Sequence, residues 1–423
     1  MVSQPMNKSS SLINRKLTKS DIAVFCILIM VGGLLVSRLF LSLGMILFGI
    51  NALRDIHPKK WLQQKWCMLG VAWVAIYALT WFWSTDKETW GAFVQNKLPI
   101  LFLPLAFAFL PQWTAKQLQL LTLGIGTMLF AGACYSISFL LFDYDNYIKL
   151  YNVSHMIPTP MYQEYISFSI TNSLFAVWCV YVFPKLESKP IKYAVAFITI
   201  SLVIYNHVLA SKSGLISFYV CMLGWGIYTI IAKRSISGVI AVLGVPLLLA
   251  LAVTYVPTLR ERKEHIVYTY YRFRSNDKTG SLGDISRLIS YDIAFKLMKE
   301  QPVTGTGIGD IGHEMDRGYD KWYPEVVDSH NRLIPHNQFL TVGLGCGIPA
   351  MLLFAIWVFA PLHRLGKNRE SFFFFVVWLA LLIQLMIEPY LEGQIGLFVY
   401  ILFTLLFLHI MPYSHKKIPS TVQ

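Results

Sequence analysis

Twelve long apolar stretches recur along the 423-residue chain and limit what it can fold into. They lie at about 21–36, 39–53, 66–84, 98–112, 118–142, 164–184, 193–210, 214–232, 237–255, 337–362, 371–388 and 396–412. Roughly 20 apolar residues in a helix match a hydrocarbon core about 30 Å thick. In that medium every backbone N–H and C=O needs an internal partner, so only helices and closed barrels span it. Runs this long and this continuously apolar select the helix. The expected fold is an all-α polytopic membrane protein of about 12 transmembrane helices, with one large outer loop domain. Composition agrees: 14% of residues are charged, against about 25% in a soluble domain. The polar, basic residues 1–20 lead directly into the first stretch, and no cleavable signal peptide is evident.

Lysine and arginine sort the connecting segments by side, since cytoplasmic loops carry the excess. With both termini cytoplasmic, 19 of the 36 fall inside and 5 (Arg38, Lys87, Lys97, Lys149 and Lys212) in short outer loops. The other 12 lie in 256–335, a segment too long to enter the count. The long segment therefore faces outside. The net charge of +13 reflects topology more than affinity for nucleic acid, and no nucleic-acid partner is expected. The organisation is a cytoplasmic segment 1–20, helices 1–9 in 21–255, the large loop 256–335, helices 10–12 in 336–412, and a cytoplasmic tail 413–423. The six cysteines all fall in apolar stretches without CxxC or metal spacing and read as small core residues.

The loop balances 12 basic against 12 acidic residues but segregates them. "TLRERKEHIVYTYYRFRS" (258–275) is basic and tyrosine-rich; "DIGHEMDRGYDKWYPEVVD" (310–328) is mostly acidic. The basic run Arg260, Arg262, Lys263, Arg272 and Arg274 reads as attraction to phospholipid headgroups. Between the two, "GDISRLISYDIAFKLMKEQP" (283–302) spaces Ile285, Leu288, Ile289, Phe295 and Met298 as an amphipathic helix, with Asp284 as its N-cap. Then comes "QPVTGTGIGDIG" (301–312), which formally matches a dinucleotide fingerprint. That motif requires a preceding strand and a βαβ unit. Neither can be built here, so the glycines are expected to form a tight turn where backbone meets backbone.

Several polar residues stand where loop meets membrane. His336 and Asn337 open a span in "RLIPHNQFLTVG". Two readings are open for the histidine: a cap on the first helical turn, or a general base that takes a proton from a hydroxyl. Arg287 lies in the amphipathic helix, as a snorkelling side chain or a phosphate ligand. Lys212, in "HVLASKSGLIS", occupies a short outer turn against the charge bias. Glu388 and Glu392, four residues apart and next to Gln394, fill another such turn, where pairing with an outer cation is the simplest role. His155, Tyr162 and Glu164 belong to a third loop at the same mouth. Cations on one face above a lipid-bounded bundle suit an amphiphile with an anionic phosphate head and a polyprenyl tail. No His/Cys cluster or P-loop is present, and neither a metal nor a cofactor is expected.

The order of these motifs is familiar. An arginine in a loop helix is followed by P-x-x-G-x-G-x-G-D, then HNQFL, G-x-G-I-P and a late E-x-x-L-E-x-Q-x-G. This resembles the O-antigen ligase family, which also includes O-antigen polymerases and bacterial protein O-oligosaccharyltransferases. "WSTDKETWGAFVQNKLPILFLPLAF" (83–107) is similar to the region family members carry before their fourth span. The resemblance implies a glycosyltransferase of the bacterial inner membrane working at its periplasmic face, with 256–335 as a periplasmic loop. Its donor would be a glycan on undecaprenyl diphosphate, its acceptor a hydroxyl, with lipid A–core of lipopolysaccharide the leading candidate. It implies His336 as the activating base and Arg287 as a diphosphate contact. Where the family carries SRxG this chain has SKSG, so Lys212 stands for an arginine. Asn337, Glu388, Glu392 and Gln394 are implied in support. A growing glycan or a protein acceptor, and a transporter of lipid-linked glycan without chemistry, are the alternatives; transporters tend to show repeated halves and mid-membrane charges, and neither is expected here.

The topology has a direct check. Reporter fusions after Lys278 and after Lys367 are expected to report opposite sides of the membrane; equal sidedness would overturn the orientation.

Overall fold

The computed structural model describes residues 17–53, 64–151, 155–162, 164–274 and 283–411; residues 1–16 of the N-terminal segment and the tail 413–423 lie outside the described residues. Those residues fold as helices and connecting turns, with no strand among them. In chain order the α-helices are α1 Lys19–Val36, α2 Arg38–Ala52, α3 Lys65–Leu79, α4 Lys87–Ala108, α5 Ala115–Phe142 and α6 Tyr144–Tyr151. They continue with α7 Tyr165–Val182, α8 Lys189–Leu209, α9 Lys212–Lys233, α10 Ile236–Tyr255, α11 Pro257–Arg274 and α12 Asp284–Glu300. The last are α13 Ile311–Trp322, α14 Gln338–Cys346, α15 Ile348–Phe359, α16 Arg369–Ile387 and α17 Gln394–Ile410.

Among the described residues, nine helical segments are long and apolar enough to cross a membrane: those of α1, α3, α4, α5, α7, α8, α9, α10 and α16. Three shorter apolar helices, Arg38–Ala52, Ile348–Arg364 and Gln394–Ile410, occupy the remaining expected stretches. The chain is a multi-pass membrane protein. Burial separates its centre from its rim: 78% of the α7 window is buried, but only 17% of that of α10, whose leucines and isoleucines face outward. Tryptophan, often an interfacial anchor, here also builds the core. Trp73, Trp178 and Trp357 are fully buried, and Trp66 stacks on Trp357 at 5.4 Å while donating from Nε1 to its carbonyl at 3.0 Å. Five of the six cysteines are buried; Cys134 is exposed.

Four sequence expectations need correction. Lys97 is no outer-loop cation. It lies inside α4, fully buried, with Nζ 2.7 Å from Oε2 of Glu392. The amphipathic helix forms, but it turns a different stripe inward: Ile285, Ile289, Ile293 and Leu297 are buried, whereas Leu288 and Phe295 are exposed. The i, i+4 row packs on α13, where Gly318 lets Ile293 approach so closely that a Cβ there would lie 2.4 Å from its Cγ2. The helix N-cap is Gly283 rather than Asp284, whose carboxylate is engaged elsewhere.

The stretch expected as one span at 337–362 is broken in two. Gly347, at φ 87°, ends α14 and starts α15. A helix end leaves carbonyls without partners, and the glycine run supplies them. Thr306 donates its N–H to the Leu344 carbonyl at 2.8 Å and Gly307 to that of Gly345 at 3.0 Å, while Ile348 donates to the Pro302 carbonyl at 2.8 Å. The approach is so tight that a Cβ at Gly305 would meet the backbone of 345–347 at 2.6 Å, and one at Gly309 the Asp86 carbonyl at 2.1 Å. Asp310 closes the far side by accepting from Thr85 N and Oγ1, both at 2.7 Å, and from Asp86 N at 2.8 Å. Burial works to raise the Asp310 carboxyl, but these donors outweigh it and hold it below the usual range. The run is a backbone zipper between the turn before α4 and the break after α14.

Gly347→Ala is expected to destabilise the protein by about 1–3 kcal/mol, since the position combines φ > 0 with backbone contact. Its Cβ would fall 2.0 Å from the Val303 carbonyl oxygen. Gly91→Ala, in a helix with open space around it, should be neutral or stabilising by up to about 1 kcal/mol. Thermal unfolding in detergent compares the two, and equal midpoints would remove the zipper's importance.

Candidate active site

The site forms where α7, α9, α11, α12, the start of α14 and the end of α16 approach one another. Lys212 is the first residue of α9, after Ala210 in the left-handed region at φ 54°. Glu388 follows the last residue of α16 as its C-cap. Each charge has the wrong sign for its helix end, because the N-terminus carries partial positive charge and the C-terminus partial negative. Partners offset both. Lys212 Nζ donates to Asp284 Oδ2 at 2.6 Å, and Arg287 Nη2 donates to Glu388 Oε1 at 2.5 Å. Arg287 lies one turn along α12 from Asp284, with Nη1 4.0 Å from Oδ1. Burial works to raise the Asp284 carboxyl, but the Lys212 hydrogen bond and the charges of Lys212, Arg287 and Arg262 outweigh it, and the group sits below the usual carboxylate range.

His336 joins this network through the other oxygen of Glu388. Its Nδ1 lies 2.9 Å from Oε2, yet the approach is too oblique to satisfy hydrogen-bond geometry. The contact is an electrostatic one that a small ring rotation would align; such bonds are often loose before substrate binds. The backbone of His336 is held independently: Tyr291 Oη donates to its carbonyl at 2.7 Å, and its N–H approaches Ser290 Oγ at 3.5 Å. The cap on α14 is Asn337 alone, accepting from Phe339 N at 2.9 Å and Leu340 N at 3.2 Å, with Nδ2 donating to the Met386 carbonyl at 3.0 Å. Histidine and asparagine thus take different jobs, and the imidazole is released from capping.

Glu392 and Gln394 do not join the cluster. Glu392 is buried among Lys97, Tyr77 and Gln338, and Gln394 Nε2 reaches Ser42 Oγ in α2 at 3.4 Å. Of the third loop, Tyr162 accepts from the backbone N–H of Arg38 at 2.8 Å, beneath the Arg38 guanidinium. Glu164 comes nearer to the site. Burial raises its carboxyl, offset in part by Ser167 and Arg38, while the charge of Glu388 adds to the rise. His155 donates its backbone N–H to Leu150.

One residue beyond the expected set belongs to the cluster. Arg262, read from sequence as a headgroup contact, projects from α11 into the field of Asp284 and Arg287, and burial lowers its pKa from the ordinary arginine value. Its Nε and Nη1 are buried without a hydrogen-bond partner. A guanidinium with unused donors is poised for an anion with several oxygens. The signal was present in the sequence: Thr258, Arg262, His265 and Thr269 recur at helical spacing, and Thr258, His265 and Thr269 are buried. Three cations, Lys212, Arg262 and Arg287, therefore surround one carboxylate, with a fourth group, His336, beside a second. Such an arrangement can hold a diphosphate and remove a proton nearby.

Residues 194–355 match the family model described as O-antigen ligase. That stretch carries Lys212, Arg262, Arg287, His336, Asn337 and the glycine zipper, so the family resemblance read from the motifs holds over the part of the chain that builds most of the cluster. Glu388, Glu392 and Gln394 lie beyond it. No curated protein matches the chain.

The pairing pattern predicts opposite effects of removing two arginines. Arg262→Met deletes a part-buried charge whose Nε and Nη1 make no hydrogen bond and should leave the unfolding midpoint unchanged or raise it. Arg287→Met removes the closer of the two partners of buried Glu388 and should lower stability by about 1–3 kcal/mol. Equal losses in detergent melting curves would show that Arg262 is a structural ion-pair member.

Proposed function

We propose that the protein transfers a glycan from undecaprenyl diphosphate to an acceptor hydroxyl at the periplasmic face of the bacterial inner membrane, with lipid A–core of lipopolysaccharide as the acceptor. The observation that carries this reading is the single carboxylate, Glu388, that touches both Arg287 and His336. One group thereby couples the residue suited to a phosphate with the residue suited to a proton. The family match supplies the reaction class.

The chemistry asks little of the protein beyond placement and charge. The diphosphate is already a good leaving group, so no nucleotide is consumed. The acceptor oxygen attacks the anomeric carbon, the bond from that carbon to the phosphate oxygen breaks, and the configuration inverts. The electron pair leaves with undecaprenyl diphosphate. Arg287, Lys212 and Arg262 stabilise the charge that develops on its oxygens, in a site where preorganised cations act more strongly than they do in water. The hydroxyl proton passes to His336. With Nδ1 turned to Glu388, Nε2 is the nitrogen that faces the acceptor, as in other carboxylate–histidine pairs where the carboxylate sets the tautomer and stabilises the imidazolium. Asn337 holds the start of α14 and hence the histidine backbone. In this reading no divalent metal takes part.

The test is single-turnover transfer from a polyprenyl-diphosphate glycan by purified, folded variants. His336→Ala should lower the chemical step by about 10²–10⁴-fold, the usual range for a general base, with donor binding nearly intact. Arg262→Met and Lys212→Glu should instead weaken donor binding, whereas Lys212→Arg retains it. Chelation of divalent cations should leave the wild-type rate unchanged. Wild-type turnover by both His336→Ala and His336→Asn would refute the base assignment.

A further inference from the structure

One fully buried charge in the bundle is a group that the proposed reaction does not use. Lys97 is fully buried in the middle of α4, where burial of an ammonium costs several kcal/mol unless it is compensated. Its Nζ donates to Glu392 Oε2 at 2.7 Å and to the Leu391 carbonyl at 2.7 Å. The other oxygen of Glu392 accepts from Tyr77 Oη at 2.9 Å and Gln338 Nε2 at 2.5 Å. Neighbouring bonds run to the same short turn: Asn96 Nδ2 donates to the Glu392 carbonyl at 2.9 Å, and Gln338 Oε1 accepts from Leu391 N at 2.7 Å. With Asn337 on the Met386 carbonyl, donors from α3, α4 and the start of α14 fasten the segment 386–392 at both ends. Glu388 lies between those ends.

We infer that Lys97 and Glu392 form a positioning pair for the site: they fix the turn that carries Glu388, and so set the carboxylate against His336 and Arg287. The same network holds Gln338, two residues after His336, so one buried ion pair registers both the histidine and the carboxylate it touches. A merely structural ion pair has no need for this convergence. Bonds to the backbone of 391 and 392 and to Gln338 determine where a turn lies, and adjoining helices could be tied together without them. A shift of about 1 Å at a reacting group can cost on the order of 10²-fold in rate, so the pair controls turnover without touching substrate. The inference rests on the reading of Glu388 and His336 given above.

The double variant Lys97→Met/Glu392→Gln removes both charges together and leaves no unpaired ion, and it is compared with wild type as the full-length protein in detergent. Rate is expressed per folded molecule. The expected result is a single-turnover rate lower by about 10–100-fold with the KM for lipid-linked donor changed less than about twofold, because the cations are untouched. A folded double variant with the wild-type rate overturns the inference, as does a loss that appears only as a raised donor KM. If the double variant does not fold, Tyr77→Phe decides: it deletes a single donor to Glu392 at constant shape. A severalfold drop in rate with unchanged KM and unchanged melting supports positioning, and a wild-type rate refutes it. Glu388→Gln and His336→Ala run alongside separate the two levels. If these are as active as wild type, the site assignment itself fails; if they are impaired while the Lys97 and Tyr77 variants are normal, only the positioning role fails.

Discussion

A helix that stops inside a protein must give its last carbonyls something to bond, and the break at Gly347 meets that demand with the backbone of 302–307. Much of the architecture around the site follows from this one requirement. The N–H groups of Thr306 and Gly307 close the end of α14, which brings the chain leaving α12 against the chain entering α15. Only glycine permits backbones to lie this close, because any Cβ at 305, 309 or 347 would fall within the atoms of the facing backbone. Once the zipper is closed, α12 and the first residues of α14 are neighbours. Arg287 on one and His336 at the other then come within reach of the same carboxylate. The irregular backbone is tolerated because 305–311 is buried in protein and the freed groups of Leu344, Gly345 and Ile348 are paired, which is the condition under which such segments occur in membrane proteins.

The cluster built on this frame is strained in an electrostatic sense rather than a conformational one. Lys212 sits at the positive end of α9 and Glu388 at the negative end of α16, and each needs a counter-charge from the loop helix α12. An anionic substrate would find three cations already oriented and would relieve their mutual repulsion, while Asp284 and Glu388 hold them apart in the meantime. A site arranged this way spends part of its folding energy in advance, which is what preorganised stabilisation of a developing charge requires. The Lys97–Glu392 pair is the mechanical counterpart: two charges with the right partners, buried out of reach of substrate, holding a turn in place.

Much of this could be read in the chain because membranes impose such strong rules. Apolar length marked the spans, with α4 beginning earlier than the apolar run because Asp86 caps it and its first turns are polar. Glycine alternation announced close backbone contact without revealing the partner, since nothing local in 301–312 points to residues 344–348. The distinct roles of His336 and Asn337 were hidden for a similar reason. Both are competent at a helix start, and only the location of Glu388, more than fifty residues later, decides which one caps. Lys97 misled because charge counting treats every lysine near a span's end as a loop residue, and a buried partner 295 residues away is invisible to it. Leu288 and Phe295 fit a helical stripe as well as Ile293 and Leu297 do. The packing of α13 at Gly318 chose between the two.

Arg262 bears on the one place where the chain departs from the pattern it resembles. A lysine in SKSG offers a compact charge in place of a planar, two-pronged donor, and bidentate recognition of phosphate is lost with that exchange. Here the lysine makes one short contact, to Asp284, as a point charge would. The planar donors reappear one helix away, on a guanidinium with two buried nitrogens left unbonded. In the proposed reaction the two residues divide what one arginine does alone: Lys212 supplies charge at the mouth of α9, and Arg262 supplies directional hydrogen bonds from α11. Such a division gives a role to the two guanidinium nitrogens that the protein itself leaves unbonded.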